Sequence, residues 1–253
     1  MTYCVGLYLR EGLVLLSDTR TNAGVDNISV FGKMQVEEVP GERVLVLLSA
    51  GNLAITQAVW NRLQEGVRLD GETLTLRSVD SMFHAAQLVG QAVREVFAAD
   101  GPSLSAQGVR FDISLMLGGQ IGGPGVHNPP RLFLIYAAGN FIEATTDTPF
   151  LQIGEHKYGK PILDRVIGFD TPLMDGVKLV LISMDSTLRS NLTVGMPIDL
   201  LVYRADGFAV TLRRRITEED PYFRAISEGW SQALRNAYLA LPRPDWLDPP
   251  PAG

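Results

Sequence analysis

Residues 2–18 read TYCVGLYLREGLVLLSD. Two runs of β-branched, aromatic and aliphatic side chains, Thr2 to Leu9 and Leu13 to Asp18, flank Arg10-Glu11-Gly12, a short glycine-containing link that predicts a β-hairpin. Working outward, a third strand is expected from Ile28 to Glu38, carrying Lys33. Pro40-Gly41 turns the chain into Arg43 to Ser49, an almost unbroken apolar run of strand length that suits burial on both faces. Asn52 can then cap a helix in which Leu53, Ala54, Ala58, Val59 and Leu63 share one face, ended by Gly66.

A second helix is expected from about Asp80 to Ala99, with Gly101-Pro102 as its stop. Strands resume at Phe111 to Leu117 and Arg131 to Ala137, separated by a glycine-rich loop from Gly118 to Pro130, and continue at Phe141 to Thr145 and Phe150 to Ile153. Helices near Tyr158 to Ile167 and Leu173 to Met184 follow. A strand pair comes next, Ile198 to Arg204 and Phe208 to Arg214, turning at Ala205-Asp206-Gly207, and then a helix from Pro221 to Leu241. Strands and helices come in segregated blocks without strict alternation, which favours an α+β fold of antiparallel sheets with helices packed outside them. No composition break divides the chain, so one domain over residues 1–241 is expected, with 242–253 a proline-rich tail that cannot continue a helix.

With 46% hydrophobic and 20% charged residues over 253 positions, the chain has the makeup of a soluble globular protein with a sizeable core, not of a disordered one. The formal charge of −6 argues against binding to duplex nucleic acid or a membrane surface, which needs excess Lys and Arg. Cys4 is the one cysteine, so neither an internal disulfide nor a thiolate zinc cage can form. His84, His127 and His156 lack metal-ligand spacing, and no metal or organic cofactor is expected. The amino terminus has neither a basic leader nor an export-length apolar stretch, which together with the lone cysteine predicts a cytoplasmic protein.

Thr2 follows Met1, and a small second residue favours trimming of the initiator methionine. A threonine with a free α-amine joins a hydroxyl nucleophile to a base whose ordinary pKa is about 7.7–8.0. Asp18 lies on the second strand of the hairpin, which antiparallel pairing can return beside Thr2, and Arg20 and Lys33 lie close after it. Two readings stay open for these charges: a cation that biases the threonine and is held by Asp18, or an exposed cross-strand ion network. Ser49-Ala50-Gly51-Asn52 runs from a strand straight into a helix, where Gly51 is either a turn glycine or a backbone donor suited to an oxyanion.

Several strings together resemble a proteasome-type β subunit: Thr2 after Met1, SDTR at Ser17 to Arg20, Lys33, SAGNLA at Ser49 to Ala54, and IGEHKYG at Ile153 to Gly159. Within that group SDTRTNAGVDNIS, LLSAGNLAITQAV and ISMDSTLRSNLTVG are similar to the bacterial ancestral β-subunit branch, Anbu, over nearly the whole chain. The resemblance implies a four-layer αββα sandwich of the amino-terminal-nucleophile hydrolase type. It also implies threonine peptidase activity on peptides or unfolded chains, and self-association into a ring-like or helical homo-oligomer.

By the same resemblance Thr2 is the nucleophile, Lys33 the tuning lysine, Asp18 the carboxylate that orients it, and Gly51 the oxyanion-hole glycine. Asp185 and Ser190 are the nearest counterparts of a later Asp-x-x-Ser-Gly element. The chain departs from the family pattern where Gly154 is followed by Glu155-His156 instead of a serine, and in the wider spacing from Asp185 to Ser190. Alternatives left open are an amidohydrolase or acyl transferase acting on small amides through the same site, and a non-catalytic assembly subunit. Cys4 is read as a small buried hydrophobe and His156 as a loop histidine. Arg213-Arg214-Arg215 is read as a strand-end cluster offset by Glu218, Glu219 and Asp220, and Trp60, Trp230 and Trp246 as packing or contact residues.

Overall fold

The computed structural model describes residues 2–22, 28–122, 128–244 and 246; His127 and most of the proline-rich tail lie outside them. The hairpin forms as expected: β1 (Tyr3–Leu9) and β2 (Gly12–Asp18) pair antiparallel from Cys4↔Ser17 to Leu9↔Gly12. Then come β3 (Arg20–Asn22), β4 (Ile28–Val30), β5 (Met34–Val39), β6 (Arg43–Gly51) and α1 (Leu53–Glu65). They are followed by β7 (Val67–Leu69), β8 (Glu72–Leu74), α2 (Met82–Ala106), β9 (Ile113–Ile121), β10 (Arg131–Ile135), β11 (Phe141–Glu143) and β12 (Phe150–Gly154). The chain continues through α3 (Lys160–Val166), α4 (Leu173–Ser190), β13 (Ile198–Arg204), β14 (Leu212–Ile216) and α5 (Pro221–Ala240).

Among the described residues there are two five-stranded antiparallel sheets, ordered β12-β1-β2-β13-β14 and β11-β10-β9-β6-β5, with two short hairpins, β3-β4 and β7-β8. The period-two alternation of a strand assigns each sheet's two faces. Tyr3, Val5, Leu7 and Leu9 pack with Leu163 of α3, Val177, Val180 and Met184 of α4, and Phe223 of α5. Cys4, Leu13 and Leu15 face the other way, onto Val44, Val46, Leu48 and Met116 of the second sheet. Leu45, Leu47, Leu115 and Phe133 on that sheet's far face meet Val59 and Leu63 of α1 and Val89, Val93 and Val96 of α2. Helices therefore cover both outer faces, and an apolar layer joins the sheets.

Several elements differ from the sequence reading. The expected strand from Ile28 to Glu38 is broken, and Lys33 lies in the link between β4 and β5. The break is where the chain changes partner: Phe31 N donates to Thr19 O at 2.9 Å, whereas Lys33 O accepts from Ser49 N of the second sheet at 3.0 Å. Helix α2 runs through Gly101-Pro102 to Ala106. Tertiary packing offsets the lost backbone bond, because Gly101 lies against the Phe97 ring, which stacks edge-on with Phe111, and Leu104 packs on the core. Helix α4 extends to Ser190, and β14 starts at Leu212 after a broad turn in which Asp206 and Phe208 take positive φ. The β7-β8 hairpin, turning on Asp70-Gly71 with φ of 51° and 90°, went unread although Asp-Gly is a strong hairpin signal. Among the described residues no helix is long and apolar enough to cross a membrane.

Candidate active site

Thr2, one residue before β1 and only 8% exposed, stands where the first sheet's ladder ends. The register Tyr3↔Gly154 brings Glu155 opposite Thr2, and Glu155 N donates to Thr2 O at 2.6 Å. Gly154 has φ +82°, and a Cβ there would lie 2.0 Å from Thr2 O, so only glycine allows this approach. Beneath the strand the Tyr3 hydroxyl shares a 2.6 Å hydrogen bond with Ser183 Oγ and accepts one from Gln152 Nε2 at 2.7 Å. The end of the chain that carries Thr2 is thus pinned by backbone and side chain together.

Asp18 closes β2 and has no solvent exposure. Its Oδ1 accepts from Lys33 Nζ at 2.7 Å and from Tyr3 N at 3.1 Å, and its Oδ2 accepts from Gly195 N at 3.3 Å. Burial pushes the Asp18 carboxyl above the ordinary carboxylate range, against the pull of the Lys33 ammonium and the two backbone donors. Lys33 Nζ also donates to Arg20 O at 2.7 Å. Two of its three N–H groups are so committed, and Lys33, 6% exposed, lines the same cavity as Thr2. The exposed ion network among Asp18, Arg20 and Lys33 is therefore excluded: Asp18–Lys33 is a buried pair, and Arg20 Nη1 reaches Leu192 O instead, at 2.9 Å.

Gly51 ends β6 immediately before Asn52, whose side chain caps α1 by accepting from Ala54 N at 2.9 Å. Asn52 N donates to Asp112 O at 2.8 Å, so by antiparallel alternation Gly51↔Ile113 is a non-bonded pair and the Gly51 N–H faces the β5 edge. The strand that would have met it there begins only at Met34, which leaves this N–H to the cavity wall. Gly51 has φ +112°, and a Cβ would sit 2.3 Å from Asp112 O. The cavity, 420 Å³ in volume, brings together Thr2, Arg20, Lys33, Ser49, Gly51 and Asp112, among others.

Asp185 and Ser190 do not line it. Asp185 is buried on α4 with its Oδ2 accepting from Arg189 Nε at 3.1 Å, and Ser190 is exposed at the helix end. Glu155, opposite Thr2, is buried at 7% exposure and at Oε2 accepts from Nδ2 of the equally buried Asn191 at 3.0 Å. Asn191 in turn accepts from Thr193 N and Oγ1 at 2.9 and 2.6 Å, so this pair ties the turn holding Thr2 to the loop whose Gly195 holds Asp18. The signal available in the sequence was the unusual Glu155 itself; Asn191 became visible only once α4 and the loop after it had a place.

Cys4 is fully buried, its thiol pushed up by burial, which is the environment of an inert packing residue. His156 is exposed, and Arg214 and Arg215 pair with Asp220 and Asp199. Among the described residues no group of three or more His, Cys, Asp or Glu side chains is placed to hold a metal ion.

No protein-family model matches the sequence, and no curated protein matches it. Solved structures do. Anbu from Hyphomicrobium sp. strain MC1 is 53% identical over 96% of this chain and 99% of its own, with a TM-score of 0.86. This chain belongs to the Anbu family. Anbu, the ancestral β-subunit, from Yersinia bercovieri is 51% identical over 95% of this chain and 97% of its own, at a TM-score of 0.86. The Anbu complex from Pseudomonas aeruginosa, described as a helical assembly, is 51% identical over 96% of this chain and 98% of its own, at 0.87. These matches cover 95–96% of this chain, so the fold is shared over nearly its whole length.

Proposed function

We propose that this Anbu chain is a threonine peptidase of the amino-terminal-nucleophile type, a single αββα domain that acts once Met1 has been removed. The observation that carries this reading is one cavity lined by Thr2, Gly51 and Lys33, the last held from behind by the buried Asp18 carboxylate. In the trimmed chain the Thr2 α-amine takes the hydroxyl proton, directly or through water, and Oγ attacks the carbonyl carbon of a peptide bond. The Lys33 ammonium lowers the amine's pKa toward working pH and favours developing charge on Oγ. The Gly51 N–H donates to the oxyanion of the tetrahedral intermediate. The amine then returns its proton to the leaving nitrogen, and water, deprotonated by the same amine, hydrolyses the ester on Oγ. A retained Met1 would turn the base into an amide and stop the cycle.

Self-association follows from the same family membership. It is supported by the helical assembly of the Pseudomonas aeruginosa relative and by α5, on which Phe223 is buried while Leu234, Tyr238 and Leu239 are exposed. The test is intact mass after exposure to an electrophilic β-lactone, on protein shown by mass to begin at Thr2, with sedimentation velocity on the same sample. An adduct mapping to Thr2, absent in Thr2→Ala, and a species larger than the 27.6 kDa chain are expected. An adduct that persists in Thr2→Ala, or none in the trimmed protein, refutes the catalytic reading; a monomer refutes self-association.

A further inference from the structure

Beside the Thr2 cavity lies a second one of 250 Å³, and the two share Ser49, Leu53 and Thr56. The second cavity thus adjoins the first along α1. Helix spacing explains its lining: Leu53, Thr56, Gln57, Trp60 and Asn61 fall at i, i+3, i+4, i+7 and i+8, one stripe of α1, while Ile55, Val59 and Leu63 bury the opposite stripe in the core. Gln35 enters from β5, and Leu47 and Leu115 add apolar surface.

The chemistry of this second cavity is one-sided. None of its lining residues is charged. Gln35, Gln57 and Asn61 line it, and none of their side-chain carboxamides hydrogen-bonds another described residue. The cations near its lining are committed elsewhere: Lys33 to Asp18 and Arg20 O, Arg20 to Leu192 O, and Arg215, whose Nη2 stands near Gly32, to both carboxylate oxygens of Asp199. A carboxylate or ammonium seated there would meet no unpaired counter-charge, whereas an uncharged amide would find both donors and acceptors, with Trp60 and Leu53 to cover its stem.

Resting on the peptidase reading, in which the cavity next to the nucleophile takes the side chain of the residue whose carbonyl is attacked, we propose that this chain's lining selects a neutral carboxamide there, glutamine above glutamate. The discrimination is of the kind a hydrogen-bonding pocket makes best, because the wrong side chain leaves polar groups unpaired.

The experiment uses trimmed full-length protein and peptide vinyl sulfones that differ only in the side chain next to the warhead: glutamine, glutamate, lysine or leucine. Thr2 Oγ–H adds across the activated double bond with no leaving group, and intact mass gives the rate of adduct formation. Glutamine is expected to label at least tenfold faster than glutamate or lysine, and faster than leucine. Gln57→Lys, on an exposed helical position that a lysine suits, should narrow the glutamine-to-glutamate ratio at least tenfold. Equal rates for glutamine and glutamate, or a ratio untouched by Gln57→Lys, overturns the selectivity. So does labelling by the β-lactone alone with every vinyl sulfone inert, an outcome that spares the peptidase reading. No labelling of Thr2 by any electrophile overturns the peptidase reading and the second cavity's role together.

Discussion

Replacing Lys33 with methionine keeps the bulk of the stem and removes the charge, which isolates what the ammonium does for Asp18. In the native chain the Asp18 carboxylate is fully buried, 2.7 Å from Lys33 Nζ, with only the longer bonds from Tyr3 N at 3.1 Å and Gly195 N at 3.3 Å besides. Breaking one side of such a buried pair costs about 3–5 kcal/mol. At about 2–4 °C per kcal/mol for a chain of this size, the midpoint of thermal unfolding should fall by roughly 6–20 °C at pH 8. The loss must also depend on pH. Burial already raises the Asp18 pKa above its unfolded value, and removing Lys33 raises it further. With the folded pKa above the unfolded one, the protonated carboxyl stabilises the fold fully below the unfolded pKa. That contribution is lost as pH rises through the folded pKa, at up to about 1.4 kcal/mol per pH unit.

Lys33→Met should therefore unfold much closer to the wild type at pH 5 than at pH 8. The double variant Asp18→Asn with Lys33→Met, which orphans no charge, should lose less than Lys33→Met alone and show little pH dependence. Thermal melts followed by circular dichroism at both pH values on the three proteins decide it. A Lys33→Met midpoint within 2 °C of wild type at pH 8, taken as roughly 0.5–1 kcal/mol, or an equal deficit at both pH values, would refute the reasoning.

Two further outcomes are expected. Gly51→Ala forces a side chain into a left-handed backbone against Asp112 O, so it should destabilise the fold by about 1–3 kcal/mol. By displacing the N–H it should also slow acylation of Thr2 by about 10²-fold or more, read by stopped labelling and mass; an unchanged labelling rate would show that this N–H is no oxyanion donor. Glu155→Ala removes the acceptor of Asn191 and Lys157 N while leaving the Glu155 N–H to Thr2 O in place. It should cost about 1–3 kcal/mol in chemical unfolding, since Asn191 is left with a buried unpaired N–H, and a cost near zero would mean that the loop holding Asp18 does not depend on it.

Much of the architecture was legible because its signals are local. The alternation from Tyr3 to Leu9, the apolar run from Arg43 to Ser49 and the capped stripe from Leu53 to Leu63 each state their own element, and each formed. What was not legible depends on partners distant in the sequence. Pro102 reads as a stop until Phe97, Phe111 and Leu104 are seen holding the helix beyond it. The strand through Lys33 reads as continuous until Thr19 O and Ser49 N are found drawing its two halves to different sheets. At the site, Thr2, Asp18, Lys33 and Gly51 could be named from short strings, and all four line or support one cavity. Asp185 and Ser190 could be named too, but spacing along α4 says nothing of which side chain its closing loop turns inward, and that residue is Asn191.

The placement of these groups has a common physical cause. Thr2 precedes the start of β1, Asp18 ends β2, Gly154 ends β12 and Gly51 ends β6, so the cavity lies where ladders stop. At strand ends the backbone has N–H and C=O groups that no neighbour strand consumes, and the chain here assigns them individually: Thr2 O to Glu155 N, Arg20 O to Lys33 Nζ, Tyr3 N to Asp18, and the Gly51 N–H to the cavity. A buried lysine–aspartate pair adds little to stability that apolar side chains of the same size would not add more simply. Its position makes sense in another way. Two backbone amides and one ammonium hold Asp18, and Asp18 with one carbonyl holds the ammonium, so the charge that faces Thr2 is fixed by the same strand ends that fix Thr2 itself. Under the proposed mechanism, stability is given up locally so that a largely buried cation is held at the cavity Thr2 also lines, where it is less screened than it would be in open water.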